Sequence, residues 1–271
     1  MTSLLPVVAI VPNYNMGHSL KDLIPQLLEQ DYEHVYIVDD ASTDDSVAVA
    51  SLFGCKRLTV VALEINRGAG SARNTGLGML KRASIIHFLD ADVSILTKNN
   101  VKTIRALPLD DNVGFVGGRI AYKRHYELPW NYGPRGSLFT ALSSPLYNMV
   151  RFLNFSVLFR MFPERPIPRA TLRRPGMYWV GEGNMVIRSD RLQEMGGFGA
   201  KYREHDIRPL AFYARAHSLT NWYEPGLAVT HKNINVRPGG RLFRILIVDI
   251  LLSRTYGGIL GWFLPMFTRW K

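Results

Sequence analysis

The sequence predicts an α/β protein with a mostly parallel central sheet flanked by helices and a C-terminal apolar helical appendage. Three observations carry this reading. Short apolar runs alternate with stretches of helical periodicity through residues 7–120. Polar clusters follow three of those runs, as in a parallel sheet whose strand ends gather on one edge. Finally, 47% of the 271 residues are hydrophobic, which suits one large core and is too apolar for a disordered chain.

The elements follow in chain order. "VVAIVPN" (7–13) reads as a buried strand running into a loop. Leu20, Leu23, Ile24, Leu27 and Leu28 recur at spacings of three and four, which marks one face of a helix. Pro25 lacks an N–H and is expected to bend or shorten that helix. "VYIVDD" (35–40) is a second strand, and Thr43 to Phe53 a second helix. "LTVVAL" (58–63) is a third strand, followed by a glycine-rich turn and a helix through Leu80. "SIIHFLDAD" (84–92) is a fourth strand, Asn99 to Leu107 a short helix, and "VGFVGGRI" (113–120) a fifth strand. Such β-α repeats join through right-handed crossovers and bind ligands beyond the carboxyl ends of their strands.

After Ile120 the rhythm breaks. Residues 137–162 are densely apolar, with Arg151 and Arg160 their only charges, and a Pro- and Arg-rich stretch follows. "MYWVGEGNMVIRSD" (177–190) is strand-like, "EMGGFGAKYREHD" (194–206) a turn, and a helix runs on through Ala216. "GLAVTHKN" (226–233) precedes a tail that is strongly apolar from Leu242 to Phe267.

Lys and Arg outnumber Asp and Glu by 33 to 22, a net charge of +11 that calls for an anionic partner. The arginines are scattered through turns, with no basic motif or aromatic platform, so nucleic acid is excluded as that partner. Cys55 is the single cysteine, which excludes an intrachain disulfide and a cysteine-rich metal site. It reads as a small core hydrophobe, and a reducing compartment fits. No Lys or Arg precedes the first apolar run, so no secretory signal is expected, and that run is too short to span a bilayer.

The three polar clusters carry the chemistry. In "VDDASTDDS" (38–46), Asp39 and Asp40 offer acceptors to ligand N–H or hydroxyl groups, while Ser42, Thr43, Asp44 and Asp45 suit a helix cap. In "NRGAGSARNTGL" (66–77), small residues let the backbone approach a ligand, and Arg67 and Arg73 can meet phosphates. In "FLDAD" (88–92), an apolar strand runs straight into Asp90 and Asp92. Carboxylates beside a core are costly unless a capped turn, an arginine or a cation compensates them. Two hard oxygen donors suit Mg²⁺ or Mn²⁺, with phosphate oxygens completing the shell.

These clusters, with "VPNYN", "GEGNMVIRSD", "GGF" and "EHD" in this order, resemble the family 2 glycosyltransferases of GT-A fold in the nucleotide-diphospho-sugar transferase superfamily. The resemblance covers about residues 6–235. It implies that Pro12, Tyr14, Asn15 and Asp40 hold the base and ribose of a nucleotide-diphosphate sugar donor. It places Asn66, Arg67 and Arg73 toward the donor's diphosphate, with Asp90 and Ala91 beside ribose and sugar. It makes Asp92 a ligand of Mn²⁺ or Mg²⁺, with His231 near that metal or the diphosphate. Glu182, Gly183 and Asn184 fall on the acceptor side. Relatives carry adjacent Glu-Asp as the base, where this chain has Glu204-His205-Asp206, so either Glu204 or Asp206 fills the role. The implied reaction is an inverting displacement by an acceptor hydroxyl. A nucleotidyltransferase-like protein or an inactive binding relative is the alternative.

The expected organisation is a transferase domain over residues 1–236, with a nucleotide-binding half to about residue 120 and an acceptor-binding half after it. Residues 237–271 form the apolar appendage. Trp262, Phe263, Phe267 and Trp270 with Arg269 and Lys271 suit a lipid interface. The expected location is cytoplasmic, peripheral at the inner face of the cell membrane, on an anionic surface, with a lipid-linked or cell-envelope glycan as acceptor.

Overall fold

A computed structural model describes residues 5–122, 126–127, 132–134, 172–199 and 207–231. Its first half follows the expected alternation. Strands β1 (Val7–Asn13), β2 (His34–Asp39), β3 (Leu58–Ala62) and β4 (Ile85–Leu89) are joined by helices α1 (Gly17–Leu28), α2 (Ser46–Ser51) and α3 (Ala69–Gly78). The four strands lie in the order β3-β2-β1-β4, all parallel.

Every residue of β1 is buried, because helices cover both of its faces. Val7, Ala9 and Val11 point into one apolar cluster with Leu20, Leu23, Ile24 and Leu27 of α1. Val8 and Ile10 point into the other, with Ala72 and Leu77 of α3. A Cβ at Gly76 would lie 2.6 Å from Ile10 Cγ2, so this glycine sets how closely α3 sits on the sheet. Pro25 does not end α1, which continues to Leu28. The proline stands in the last turn, and the Arg57 guanidinium takes the carbonyls of Leu28, Gln30 and Tyr32 where the helix runs out. α2 is shorter than expected, because Thr43–Asp45 form a loop that caps it.

The second half contains β5 (Val93–Ile95), α4 (Asn100–Arg105), β6 (Val113–Tyr122), β7 (Tyr126–Glu127) and β8 (Tyr132–Pro134). It continues with β9 (Arg174–Val180), β10 (Asn184–Arg188), α5 (Ser189–Glu194), α6 (Arg208–Ala216) and β11 (Thr220–His231). The described strands form one sheet ordered β3-β2-β1-β4-β10-β6-β11-β9-β8, with β5 on β11 and β7 on β6. The expected mostly parallel sheet holds only through β4, and the whole is mixed. β10 runs antiparallel to both β4 and β6, while β11 is parallel to β6 and antiparallel to β9. The stretch expected as one strand over 177–190 divides into β9 and β10 at the Gly181–Gly183 turn.

β11 is irregular. Gly118 pairs with Glu224 but Arg119 pairs with Ala228, so residues 225–227 are extra on the β11 side. Cys55 corrects its reading, being half-exposed in the loop before β3 and not in the core, where its sulfur accepts from Arg57 N–H. Among the described residues no helix is long and apolar enough to cross a membrane. The apolar segments 137–162 and 237–271, and with them Glu204 and Asp206, lie outside the described residues.

Candidate active site

The carboxyl ends of β1, β2 and β4 open on one side of the sheet, and the polar clusters collect there. At the end of β1, Pro12 is still inside the strand, buried in register with Val38. Tyr14 is exposed at the mouth. Asn15 takes a left-handed backbone (φ 55°) and its Oδ1 accepts from the Thr43 and Asp44 N–H groups at 2.7 and 3.3 Å. Asn15 therefore shapes the loop after β2. Asp39 joins in, accepting from Asn13 Nδ2 at 2.6 Å, Ser42 N–H at 2.8 Å and the Ser42 hydroxyl at 2.6 Å.

The capping expected in this cluster falls to Asp44, which accepts from the N–H of Ser46 and of Gly17, both at 3.0 Å. One carboxylate thus serves the N-terminal ends of α1 and α2. Partial burial would raise its pKa, but these hydrogen bonds outweigh that and hold it below the usual carboxylate range. Asp40 is buried, and its two oxygens accept from the N–H groups of Arg67 (2.9 Å) and Gly68 (2.6 Å). It fixes the glycine-rich turn that opens α3. Gly68 has φ 94°, a backbone that side chains disfavour. Asn66 is half-buried and Arg67 exposed along this turn.

Arg73 comes off the buried face of α3 and is 2% exposed. Its Nη2 donates to Asp90 at 2.7 Å, and its guanidinium lies 5.2 Å from the Phe198 ring centroid. Asp90, Ala91 and Asp92 form the turn between β4 and β5. β5 pairs with the end of β11, so Val93 stands opposite His231. That pairing brings His231 Nε2 to 3.2 Å from Asp92 and 3.6 Å from Asp90. One ligand atom from each of Asp90, Asp92 and His231 falls within 4.8 Å of the others. The resemblance implied Asp92 with His231 alone, while the two-carboxylate motif offered Asp90 as well, and the geometry puts all three together.

The two carboxylates are tuned apart. Burial would raise Asp90, but the His231 hydrogen bond and the Arg73 charge outweigh it and hold its pKa below the usual range. Burial raises Asp92, assisted by the negative Asp90 and opposed by His231. Asp92 thus lies beside an imidazole and a second carboxylate, an environment that a divalent cation would relieve. Two oxygens and one imidazole nitrogen suit a divalent cation.

The turn between β9 and β10 closes the other side. Gly183 lies against Asp90, whose N–H donates to the Gly183 carbonyl at 3.2 Å. A Cβ on Gly183 would be 2.4 Å from Asp90 Oδ2. Glu182 precedes it, half-buried, and Asn184 follows, buried. Sequence reasoning missed Phe198, Asn74 and His87. "GGF" was read as a turn and a motif of the resemblance, with no role given to its phenylalanine, and His87 was absorbed into an apolar strand.

Parallel strand ends that face an acidic pair, an imidazole and a buried guanidinium agree with the GT-A class that the sequence resembles. S. aureus TarS (1–349) superimposes with a TM-score of 0.64 over 97% of this chain and 69% of its own, at 17% identity. The mannosyltransferase PcManGT of Pyrobaculum calidifontis, solved with GDP-Man and Mn²⁺, gives 0.61 over the same shares at 18% identity. The family model for glycosyl transferase family 2 matches residues 8–173, and the chain belongs to that family. It is 33% identical over 116 residues to the UDP-Glc:alpha-D-GlcNAc-diphosphoundecaprenol beta-1,3-glucosyltransferase of Escherichia coli, covering 41% of this chain and 44% of that one. It is 35% identical over 97 residues to a putative teichuronic acid biosynthesis glycosyltransferase of Bacillus subtilis, covering 34% and 38%. The matches span less than half the length of these curated relatives.

Proposed function

We propose that the protein transfers a sugar from a nucleotide diphosphate donor to an acceptor hydroxyl, with inversion, using Mn²⁺ or Mg²⁺. The observation that carries this is the Asp90–Asp92–His231 cluster beside Arg73 at the shared strand ends. Asp90, Asp92 and His231 would hold the metal, which supplies positive charge against the developing diphosphate. Arg73 adds a fixed cation on the same side, held by Asp90 and by the Phe198 ring. Asp40 holds the Arg67–Gly68 turn so that its small residues admit the diphosphate closely. Asn15 and Asp39 shape the loop against which base and ribose would lie, with Tyr14 exposed beside it.

In this reading the Glu182–Asn184 turn borders the acceptor, and Glu204 or Asp206 removes the hydroxyl proton as the anomeric bond to the diphosphate breaks. The transferase domain spans residues 1–236. Residues 237–271 attach it to an anionic membrane surface at the cytoplasmic face, where a lipid-linked acceptor would lie. The relatives in cell-envelope glycan synthesis support that setting. Release of nucleoside diphosphate from UDP-Glc, UDP-GlcNAc and GDP-Man with Mn²⁺ tests the reading, and pyrophosphate as the product would reveal a nucleotidyltransferase instead. Asp92→Ala should lower donor turnover by about a hundredfold or more, since charge stabilisation at such a site is worth several kcal/mol. Unchanged turnover removes Asp92 from the chemistry.

A further inference from the structure

His87 and Asn184 lie behind the carboxylate pair, and both are buried. Asn184 Nδ2 donates to the carbonyls of Arg119 and Leu227, each at 3.0 Å. These carbonyls flank the place where residues 225–227 bulge out of the β6–β11 ladder. A side chain with two N–H donors on one atom can satisfy both, as a primary amide does. The space is built for it, since a Cβ on Gly118 would come within 2.3 Å of Asn184 Nδ2 and 2.6 Å of the Leu227 carbonyl.

Committing both amide hydrogens fixes the rest of the chain. Asn184 Oδ1 faces His87 Nε2 at 2.8 Å, so Nε2 must carry the proton. His87 Nδ1 is then a bare acceptor, and it takes the Tyr32 hydroxyl proton at 2.6 Å. Asn100 Nδ2 donates to the Tyr32 oxygen at 3.3 Å, and its backbone N–H donates to Gln30 Oε1 at 2.8 Å. The hydrogen bonds of this buried chain, from α4 to β11, therefore have one direction only.

Asn184 touches each element that delivers a cluster residue. Its neighbour Gly183 receives the Asp90 N–H, and Asn184 itself stands opposite Leu89 at the end of β4. Past the bulge, β11 resumes at Ala228 and ends at His231. We propose that Asn184, oriented by His87, is a positioning residue for the Asp90–Asp92–His231 cluster: it ties the bulge that sets the approach of His231 to the turn that holds Asp90. This rests on the metal-site reading above.

The test is Mn²⁺ binding by the full chain, read by electron paramagnetic resonance of free Mn²⁺, in wild type, Asp92→Ala and Asn184→Asp. The aspartate keeps the size but turns acceptors toward two carbonyls. Asn184→Asp should weaken Mn²⁺ binding about tenfold or more, as lost support behind metal ligands does. Wild-type affinity in Asn184→Asp overturns the inference. Equal binding by wild type and Asp92→Ala overturns the metal-site reading instead. A second measurement needs no substitution: nitrogen-15 NMR of histidine-labelled protein at neutral pH should show His87 as the Nε2–H tautomer. An Nδ1–H tautomer would mean a reversed amide with no donor for the Arg119 and Leu227 carbonyls, and would also overturn the inference.

Discussion

Gly183 shows how little room the site leaves a single residue. A methyl group there would fall 2.4 Å from Asp90 Oδ2, and Asp90 cannot swing aside without leaving Arg73, 2.7 Å away. Gly183→Ala should therefore displace the carboxylate and lower donor turnover by about a hundredfold, the usual cost of misplacing a reacting group by an ångström. Separating Asp90 from the buried Arg73 should also lower the unfolding temperature, so turnover is compared well below the variant's unfolding midpoint, where a folding defect alone would leave it unchanged. Much at this level was legible in the sequence. An apolar strand running into two carboxylates announced a compensating partner, while Arg67 and Arg73 both read as phosphate contacts and only the fold shows that Arg73 is the buried one. Less legible was what each acid binds. Asp40 looked free for a ligand, yet its oxygens accept from the Arg67 and Gly68 N–H groups. Asn15, read as a ligand contact, also orders the loop beside it. Residue types declare capacity for hydrogen bonding, while the partner is set by backbone that comes close only on folding.

The β1–β4 block was readable because its strands alternate with helices and local periodicity carries that rhythm, although β4 itself pairs with β1 from 78 residues away, Val7 opposite Ile85. β10 was not, because it pairs with β4 across almost a hundred residues, as Leu89 opposite Asn184 shows. No local pattern encodes such a partner, so the sheet looked more parallel than it is. The same long reach fastens α3 to the turn after α5. Asn74 Nδ2 donates to the Phe198 carbonyl at 2.9 Å, and the Phe198 N–H donates back to Asn74 Oδ1 at 2.8 Å. Gly196 and Gly197 reach this geometry with φ of 80° and 74°, and a Cβ on Gly197 would lie 2.8 Å from that same Oδ1. Asn74→Ala strips both partners from Phe198 and should cost about 1–3 kcal/mol in denaturant unfolding. It should also raise the KM for the donor, because Phe198 is the ring beneath Arg73. A variant that loses stability with KM unmoved would show that the turn supports the fold but not the guanidinium.

For the molecule as a whole, the buried histidine chain sets how stability varies with pH. Burial outweighs the Asn184 hydrogen bond and lowers the His87 pKa from 6.5 to about 4. Between those values the unfolded chain holds a proton that the folded chain excludes. Stability is thus fully present above pH 6.5 and lost as pH falls toward 4, by about 3 kcal/mol in all. Asp44, Asp90 and Asp190 have lowered pKa values, so their contributions are lost below the ordinary carboxylate value of 3.8, beneath this window. Asp92, raised by burial, acts in the opposite sense. The half-buried His34 is also lowered and adds to the His87 slope, while the +11 charge acts on every variant alike. Urea unfolding from pH 4.5 to 7 should therefore give a rising stability for wild type and a markedly flatter line for His87→Gln, which keeps a donor for Asn184 without a titrating ring. Parallel lines for the two proteins would mean that His87 is not held neutral in the core, and the fixed direction of the Tyr32–His87–Asn184 chain would fall with it.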